Sequence, residues 1–168
     1  VSVLDGLYSD TFVQEIQDIL LHQGWTYSEG AYPGTELVHW VTELSPDDAW
    51  VATLLSGFRG VIDREGPYRL ERAYCNGHVC SDCPLPHQDS EDPRDRTVLV
   101  YANAQWRPEF AGETVFFDDN DEIIRAVVPR PGRVVIFDST LRHCARPPTK
   151  ILLGLRLTVA FKFRAIQT

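Results

Sequence analysis

A histidine and an aspartate stand two positions apart in the segment Pro86-His87-Gln88-Asp89-Ser90. In an extended chain, residues two apart point to the same side and their Cα atoms are about 6.5–7 Å apart, so both side chains can reach one ion. A His and a carboxylate are two members of the 2-His-1-carboxylate facial triad, which leaves open positions on Fe(II). The H-x-D pattern taken alone is a weak signal, because a surface turn can also carry it.

A second histidine and an arginine follow in the order that such a site needs. His143 comes after a predicted strand and a short turn, and Arg156 lies on a strongly β-like segment beyond it. A guanidinium binds a carboxylate through two parallel hydrogen bonds and stays charged when it is removed from water. The order therefore predicts an Fe(II) centre held by His87, Asp89 and His143, with Arg156 binding a dicarboxylate.

Two helices are predicted in the first third of the chain. The first covers about residues 10–23, with Ser9 or Asp10 as its cap and apolar residues at helical spacing. The second covers about residues 46–58, where Ser45 suits the cap position and two nearby glycines suit the end.

The rest of the chain has the pattern of short strands separated by turn residues. Strands are predicted at about residues 68–76, 97–102, 113–117, 123–127, 133–137 and 153–163. In the last strand, apolar residues alternate with four that face the other way, namely Arg156, Thr158, Ala160 and Lys162. This pattern predicts a mainly β (α+β) fold with a double-stranded β-helix (jelly roll) core and N-terminal helices packed on one sheet.

The chain length suits one domain that can bury a real core. We therefore expect a single domain over residues 1–168. Its helical support would lie in residues 1–60 and its jelly-roll catalytic core in residues 68–164.

The region from about residue 74 to residue 163 resembles the prolyl 4-hydroxylase-like branch of the Fe(II)/2-oxoglutarate-dependent dioxygenases. The matching segments are P-H-Q-D-S, T-V-L-V-Y-A-N-A-Q-W, A-G-E-T-V-F-F, V-P-R-P-G-R-V-V-I-F-D, H-C-A-R-P and L-R-L-T-V-A-F. The resemblance implies a hydroxylase that uses Fe(II), 2-oxoglutarate and O2, with ascorbate as a supporting reductant. It would release succinate and CO2.

The resemblance also implies roles for individual residues beyond the three metal ligands. Arg156 would bind the distal carboxylate of 2-oxoglutarate, and Tyr101 would donate its hydroxyl to the same group. Tyr74 would line the cosubstrate pocket. The sequence departs from the family at Ala111, where a second glycine is common, and in a longer spacing before Arg156, which makes Lys150 a rival for the anion site.

The expected reaction is hydroxylation of an unactivated C–H bond in a small molecule, amino acid or peptide-like substrate. The loops at residues 27–38 and 75–86 are expected to cover the substrate. Two alternatives stay open at this point. One is a cupin-like metal-dependent dioxygenase that does not use 2-oxoglutarate, and the other is a non-catalytic jelly-roll binding module.

Charge and hydropathy exclude several partners. The formal net charge of −8 argues against nucleic acid, because phosphate binding needs a basic surface. No run of 18 or more apolar residues exists, so no membrane span is predicted. Without a visible secretory signal, a reducing cytoplasm is the expected location.

Three of the four cysteines form a C-x4-C-x2-C cluster, Cys75, Cys80 and Cys83. This spacing is compatible with part of an iron–sulfur or zinc site, but a good fourth ligand is missing. A disulfide or three reduced thiols are the other interpretations.

Several polar residues have simple structural interpretations. His39 is expected to be a partly buried packing residue, and His78 to be exposed in the Cys-rich loop. Asp138 could orient the ring of a nearby histidine or serve as a turn residue. Asp95 and Arg96 either pair with each other or contact the substrate.

Overall fold

The computed structural model describes residues 1–29, 38–82 and 84–166, and these contain two helices and ten strands. The helices are α1 (Asp10–Leu21) and α2 (Ala49–Ile62). The strands are β1 (Ser2–Leu4), β2 (Thr26–Glu29), β3 (Val38–Glu43), β4 (Tyr68–His78), β5 (Arg96–Tyr101), β6 (Thr114–Phe117), β7 (Ile123–Val127), β8 (Val134–Asp138), β9 (His143–Ala145) and β10 (Arg156–Ala165).

The strands form two antiparallel sheets. The larger has the order β1-β8-β5-β10-β4-β3-β2 and the smaller has the order β7-β6-β9. Side chains from both sheets meet in an apolar cluster that includes Tyr74, Tyr101, Phe116, Phe137 and Ala160. This arrangement confirms the predicted jelly-roll core.

Both helices pack on the outer face of the larger sheet. Ile16 and Leu20 of α1 and Leu54 and Phe58 of α2 join the same buried cluster as Val159 of β10. Fully burying side chains of this size is worth about 1.5–3 kcal/mol each. The helices therefore pack on one face of the strand that carries Arg156, and the guanidinium lies on the opposite face.

The ends of the helices differ from the sequence expectation in one case. Ser9 caps α1 as predicted, because its side chain accepts from the Phe12 backbone N–H. In contrast, α2 begins at Ala49, after a turn at Ser45, and it continues through the two glycines that were expected to end it. The ring of Tyr8 fills the space beside Gly57, where a Cβ would lie 2.5 Å from Tyr8 Cε1. Burial of the following turn outweighs the low helix propensity of glycine.

All six predicted strands are present, β7 with the predicted bounds and the other five with shifted ends, and four further strands were not predicted. The latter are β1, β2, β3 and β9. The expected cover loop at 27–38 contributes to β2 and β3, and its residues 30–37 lie outside the described residues. The expected loop at 75–86 begins inside β4, so its first four residues pair with neighbouring strands. These strands arise from pairing with distant partners, which a local pattern does not reveal.

The loop after the H-x-D segment is tied to the end of β10 by Asp95. Its carboxylate accepts hydrogen bonds from Ser90 Oγ, Arg164 Nη1 and the Ala165 backbone N–H. Burial alone would raise the pKa of Asp95, but these donors hold it below its usual value. Arg96 pairs instead with Glu65, at 2.7 Å, and with Asp138. Of the two alternatives for Asp95 and Arg96, a pairing of their side chains with each other is therefore wrong.

We expect Asp95→Asn to lower the free energy of unfolding by about 1–3 kcal/mol at neutral pH, because a buried charged acceptor is lost. The folded-state pKa is depressed, so the contribution of the carboxylate is present above the unfolded pKa of about 3.9 and is lost as the pH falls through the folded pKa. The gap between wild type and variant should thus shrink below about pH 4. Urea unfolding from pH 3 to 7 measures it, with exposed Asp119→Asn as the matched control. A gap that does not change with pH would contradict this account.

No helix among the described residues is long and apolar enough to cross a membrane.

Candidate functional site

His87, Asp89 and His143 come together at one end of the space between the sheets. One ligand atom from each lies within 4.8 Å of the others. The Nε2 atoms of His87 and His143 are 3.6 and 3.5 Å from the two carboxylate oxygens of Asp89. Ligand atoms bound about 2.1 Å from one ion and at right angles would be about 3 Å apart. The three side chains thus fit one divalent metal after a small closure.

The backbone holds the H-x-D segment against β9. The His87 N–H donates to His143 O at 3.0 Å, and the His143 N–H donates to His87 O at 2.9 Å. The Asp89 N–H donates to Ser139 O at 2.8 Å. Because this pairing is antiparallel, it brings side chains from distant parts of the chain to one face.

Both histidines present Nε2 to the cluster. Nδ1 of His87 lies 2.9 Å from Leu85 O, and Nδ1 of His143 lies 2.8 Å from Leu141 O, so each Nδ1 carries the proton. Burial lowers the pKa of His143 to about 4. Its imidazole is therefore neutral at physiological pH, which is the form that binds metals.

Asp89 is held by two neighbours through one of its oxygens. Thr97 Oγ1 donates to Oδ2 at 2.7 Å, and the ammonium of Lys162 forms a buried ion pair with the same oxygen. Burial alone would raise the pKa of Asp89, but the ammonium of Lys162 holds it well below its usual value. The carboxylate is thus ionised, and Oδ1 is turned toward His87.

We expect Thr97→Val to weaken Mn(II) binding by about 10- to 100-fold, the usual effect of losing a partner that orients a metal ligand. Valine keeps the shape and the β-branch of threonine, so the change removes the hydroxyl alone. Calorimetric titration with Mn(II) measures the effect. Thr53→Val is the matched control, because its hydroxyl bonds only to Ala49 O on the exposed side of α2. Equal affinity in Thr97→Val and wild type would mean that the hydroxyl does not orient Asp89.

Arg156 is a buried cation at the start of β10, with 1% of its surface exposed. Its guanidinium donates to Gly112 O, Thr158 Oγ1 and Thr114 Oγ1 at 2.7, 2.6 and 3.0 Å. No carboxylate among the described residues lies within ion-pair distance of it. A buried charge without a counter-ion is costly, so the donor set fits an anionic ligand.

Close approach of the backbone shapes this part of the site. Gly112 has a φ of +78°, and a Cβ there would lie 3.1 Å from Arg156 Cδ. The preceding Ala111, which replaces a glycine common in the resembling family, also has a positive φ of 53°. This conformation is unfavourable for alanine, yet the chain retains the turn that brings Gly112 O to the guanidinium.

The two tyrosines predicted for the cosubstrate pocket lie in different places. The Tyr101 hydroxyl donates at 2.7 Å to Thr114 Oγ1, which also accepts from Arg156. Tyr101 is therefore one hydrogen bond away from the guanidinium. Tyr74 lies at the metal end instead, beside Lys162 and facing Asp89.

His78 was expected to be exposed, and this was wrong. Only 3% of its surface is accessible, and its ring stacks on His39 at a centroid distance of 4.6 Å. It pairs across the sheet with Arg156, and its buried Nδ1 has no hydrogen-bond partner among the described residues. Burial lowers its pKa well below the usual value, so the ring is neutral. His39 is half-buried, as predicted, and its Nε2 lies 3.0 Å from Asn76 Oδ1.

Other candidates named from the sequence lie outside the cluster. Lys150 is exposed. The side chain of Asp138 is largely exposed and pairs with Arg96, so it does not orient His143. Cys75 and Cys80 are free thiols, and the described residues contain no second group of metal-binding side chains. Cys83 lies outside the described residues.

Lys162 belongs to this site, and no role was predicted for it from the sequence. Its signal was visible in the alternation of β10, where it falls on the same side as Arg156. The sequence pattern could not predict that this end of the strand lies beside Asp89.

Solved structures with the same fold are 2-oxoglutarate-dependent oxygenases. The collagen prolyl hydroxylase of Paramecium bursaria Chlorella virus-1, in its 2-oxoglutarate complex, is 17% identical, with a TM-score of 0.73 over 98% of this chain and 96% of that one. A prolyl-4-hydroxylase of Pseudomonas putida is 19% identical, with a TM-score of 0.72 over 99% and 92%. HygX of Streptomyces hygroscopicus, with nickel and 2-oxoglutarate bound, is 16% identical, with a TM-score of 0.65 over 97% and 82%.

The sequence itself also matches a family model. No curated protein matches the chain significantly. The model of the 2OG-Fe(II) oxygenase superfamily, in contrast, matches residues 75–164. This is more than half of the chain, and it runs from within β4 to within β10 and contains His87, Asp89 and His143. The chain therefore belongs to the 2OG-Fe(II) oxygenase superfamily.

Proposed function

We propose that this protein is an Fe(II)- and 2-oxoglutarate-dependent dioxygenase that hydroxylates an unactivated C–H bond. The observation that carries the proposal is that two sites face the same space between the two sheets. A three-residue metal cluster lies at one end of this space, and a buried arginine without a counter-ion lies at the other.

His87, Asp89 and His143 would hold the iron. Bound together, Fe(II) and 2-oxoglutarate supply the activation of O2 for hydroxylation, with succinate and CO2 as co-products. The protein fixes the ligands through the Leu85 and Leu141 carbonyls behind the imidazoles. The neutral imidazole of His143 and the ionised carboxylate of Asp89 are already in the state that the metal requires.

Arg156 would bind the distal carboxylate of 2-oxoglutarate. Three of its N–H groups are occupied by Gly112, Thr114 and Thr158, which fix the plane of the guanidinium. The remaining donors can form charge-assisted hydrogen bonds to a carboxylate. The Tyr101 hydroxyl lies beside the guanidinium and would turn its one proton from Thr114 Oγ1 to the same carboxylate.

The substrate is proposed to be a small molecule, an amino acid or a peptide-like compound. Named relatives of this fold include a collagen prolyl hydroxylase and a prolyl-4-hydroxylase. At 17% and 19% identity they support the fold, so prolyl hydroxylation is one member of this class to test.

Uncoupled turnover of 2-oxoglutarate tests the proposal. The purified protein is incubated in air with Fe(II), 2-oxoglutarate and ascorbate, and succinate is measured, first alone and then with a panel of amino acids and peptides. Succinate above the level of a His87→Ala control supports the enzyme. A cupin-like dioxygenase that does not use 2-oxoglutarate and a non-catalytic binding module both predict no succinate under any condition.

A further inference from the structure

We propose that Lys162 binds a carboxylate of the substrate, and hence that the protein acts on an organic acid. The inference rests on the proposed function and names the substrate class of the same site. Lys162 has a mostly buried side chain, with 15% exposed, and its ammonium pairs with Asp89.

The position of Lys162 separates it from the cosubstrate. Arg156 and Lys162 lie on the same side of β10 and are six residues apart, so their Cα atoms are about 20 Å apart along the strand. The metal cluster lies at the Lys162 end, because Asp89 contacts the ammonium. A 2-oxoglutarate molecule that contacts both the cluster and Arg156 would therefore extend away from Lys162. The side of the ammonium that does not face Asp89 would stay available for another ligand.

The ammonium has capacity to spare. It carries three N–H donors. Asp89 Oδ2 takes one, and the hydroxyl of Tyr74 is the other neighbour of the ammonium. No third acceptor among the described residues lies within hydrogen-bond distance. Thr97 also donates to Asp89 Oδ2, so the carboxylate keeps a partner if the ammonium turns partly toward a ligand.

The charges at the site also favour an acid. Fe(II), with two positive charges, and 2-oxoglutarate, with two carboxylates, would together add no net charge to the site. Asp89 balances one of the two buried cations, Arg156 and Lys162, and one positive charge remains. Unbalanced buried charge is costly, and a substrate with a single carboxylate would remove it. A phosphate would overshoot, with about −1.5 to −2 charges at neutral pH.

The lysine content of the chain gives a direct test. The sequence contains two lysines, Lys162 in the site and the exposed Lys150, so protein labelled with 13C at lysine Cε gives two signals. The Lys150→Arg variant assigns them without touching the site. The labelled protein is loaded with Zn(II), a diamagnetic ion that the same ligands accept, and with excess 2-oxoglutarate. It is then titrated with butanoate, benzoate and N-acetylproline, and with the amide of each.

We expect the Lys162 signal to shift saturably with at least one acid, at a concentration about tenfold or more below that of its amide, as a charge-assisted hydrogen bond requires. The Lys150 signal should not move. A Lys162 signal that responds to none of the acids, or equally to acids and amides, overturns the inference and leaves Lys162 as the structural partner of Asp89. Binding of 2-oxoglutarate is followed in the same sample. If 2-oxoglutarate does not bind, the proposed function itself fails, and if it binds while Lys162 stays silent, only the present inference fails.

Discussion

Replacing Arg156 by Met is expected to weaken 2-oxoglutarate binding by about 30- to 5000-fold. Removing one partner of a buried, hydrogen-bonded charge pair costs about 2–5 kcal/mol, and each 1.4 kcal/mol is a factor of ten in Kd. The guanidinium is wholly buried and has no counter-ion among the described residues, so nothing nearby can replace it. Calorimetric titration of the Mn(II)-loaded, oxygen-free protein with 2-oxoglutarate gives the Kd directly.

The control for this experiment is Arg130→Met, which removes a positive charge from an exposed side chain. Its Kd for 2-oxoglutarate should equal that of wild type. The Kd of Arg156→Met for Mn(II) alone should also be unchanged, which shows that the metal cluster is intact. Wild-type affinity for 2-oxoglutarate in Arg156→Met would mean that another group holds the distal carboxylate, and it would favour the dioxygenase that does not use this cosubstrate.

The second large effect is expected for His87→Ala, which should weaken metal binding by about 100-fold or more. Binding of structural zinc by four ligands releases about 10–16 kcal/mol, or roughly 2.5–4 kcal/mol per ligand. The side chain of His87 is 26% exposed, so its removal should change the free energy of unfolding little. Mn(II) titration and urea unfolding separate these two quantities.

His22→Ala serves as the matched control, because it removes an exposed imidazole whose Nδ1 bonds only to Asp18 O in the same helix. It should leave Mn(II) affinity unchanged. If His87→Ala retains wild-type affinity, His87 is not a ligand and the cluster is a hydrogen-bonded group without a metal.

Part of the candidate metal site could be predicted because its signals are local. Alternation in an extended chain places His87 and Asp89 on one side, and the same rule on β10 separates Arg156 from the apolar face. The structure brings His87, Asp89 and His143 together and buries Arg156, as expected. Their roles as ligands stay predictions, as do the division into a single domain and the cytoplasmic location.

Residues whose surroundings depend on distant strands could not be predicted. His78 is buried because β4 extends past Cys75 and pairs with both β3 and β10. No local sequence pattern predicted β3. Lys162 pairs with Asp89 because the H-x-D segment bridges to β9 through His87 and His143. This bridge holds Asp89 where it contacts Lys162 of β10. Lysine is usually exposed, so composition points away from a buried position.

The pairing of β10 on both edges has a consequence for how this protein can diverge. Its odd-numbered side chains from Leu157 to Phe163 pack under the helices, while the even-numbered ones face the other way. Inserting or deleting one residue within β10 would exchange the two sets beyond that point, placing phenyl rings where charged side chains stand. Substrate preference can therefore drift by replacing even-numbered residues, whereas a change of length inside the strand would disrupt the site.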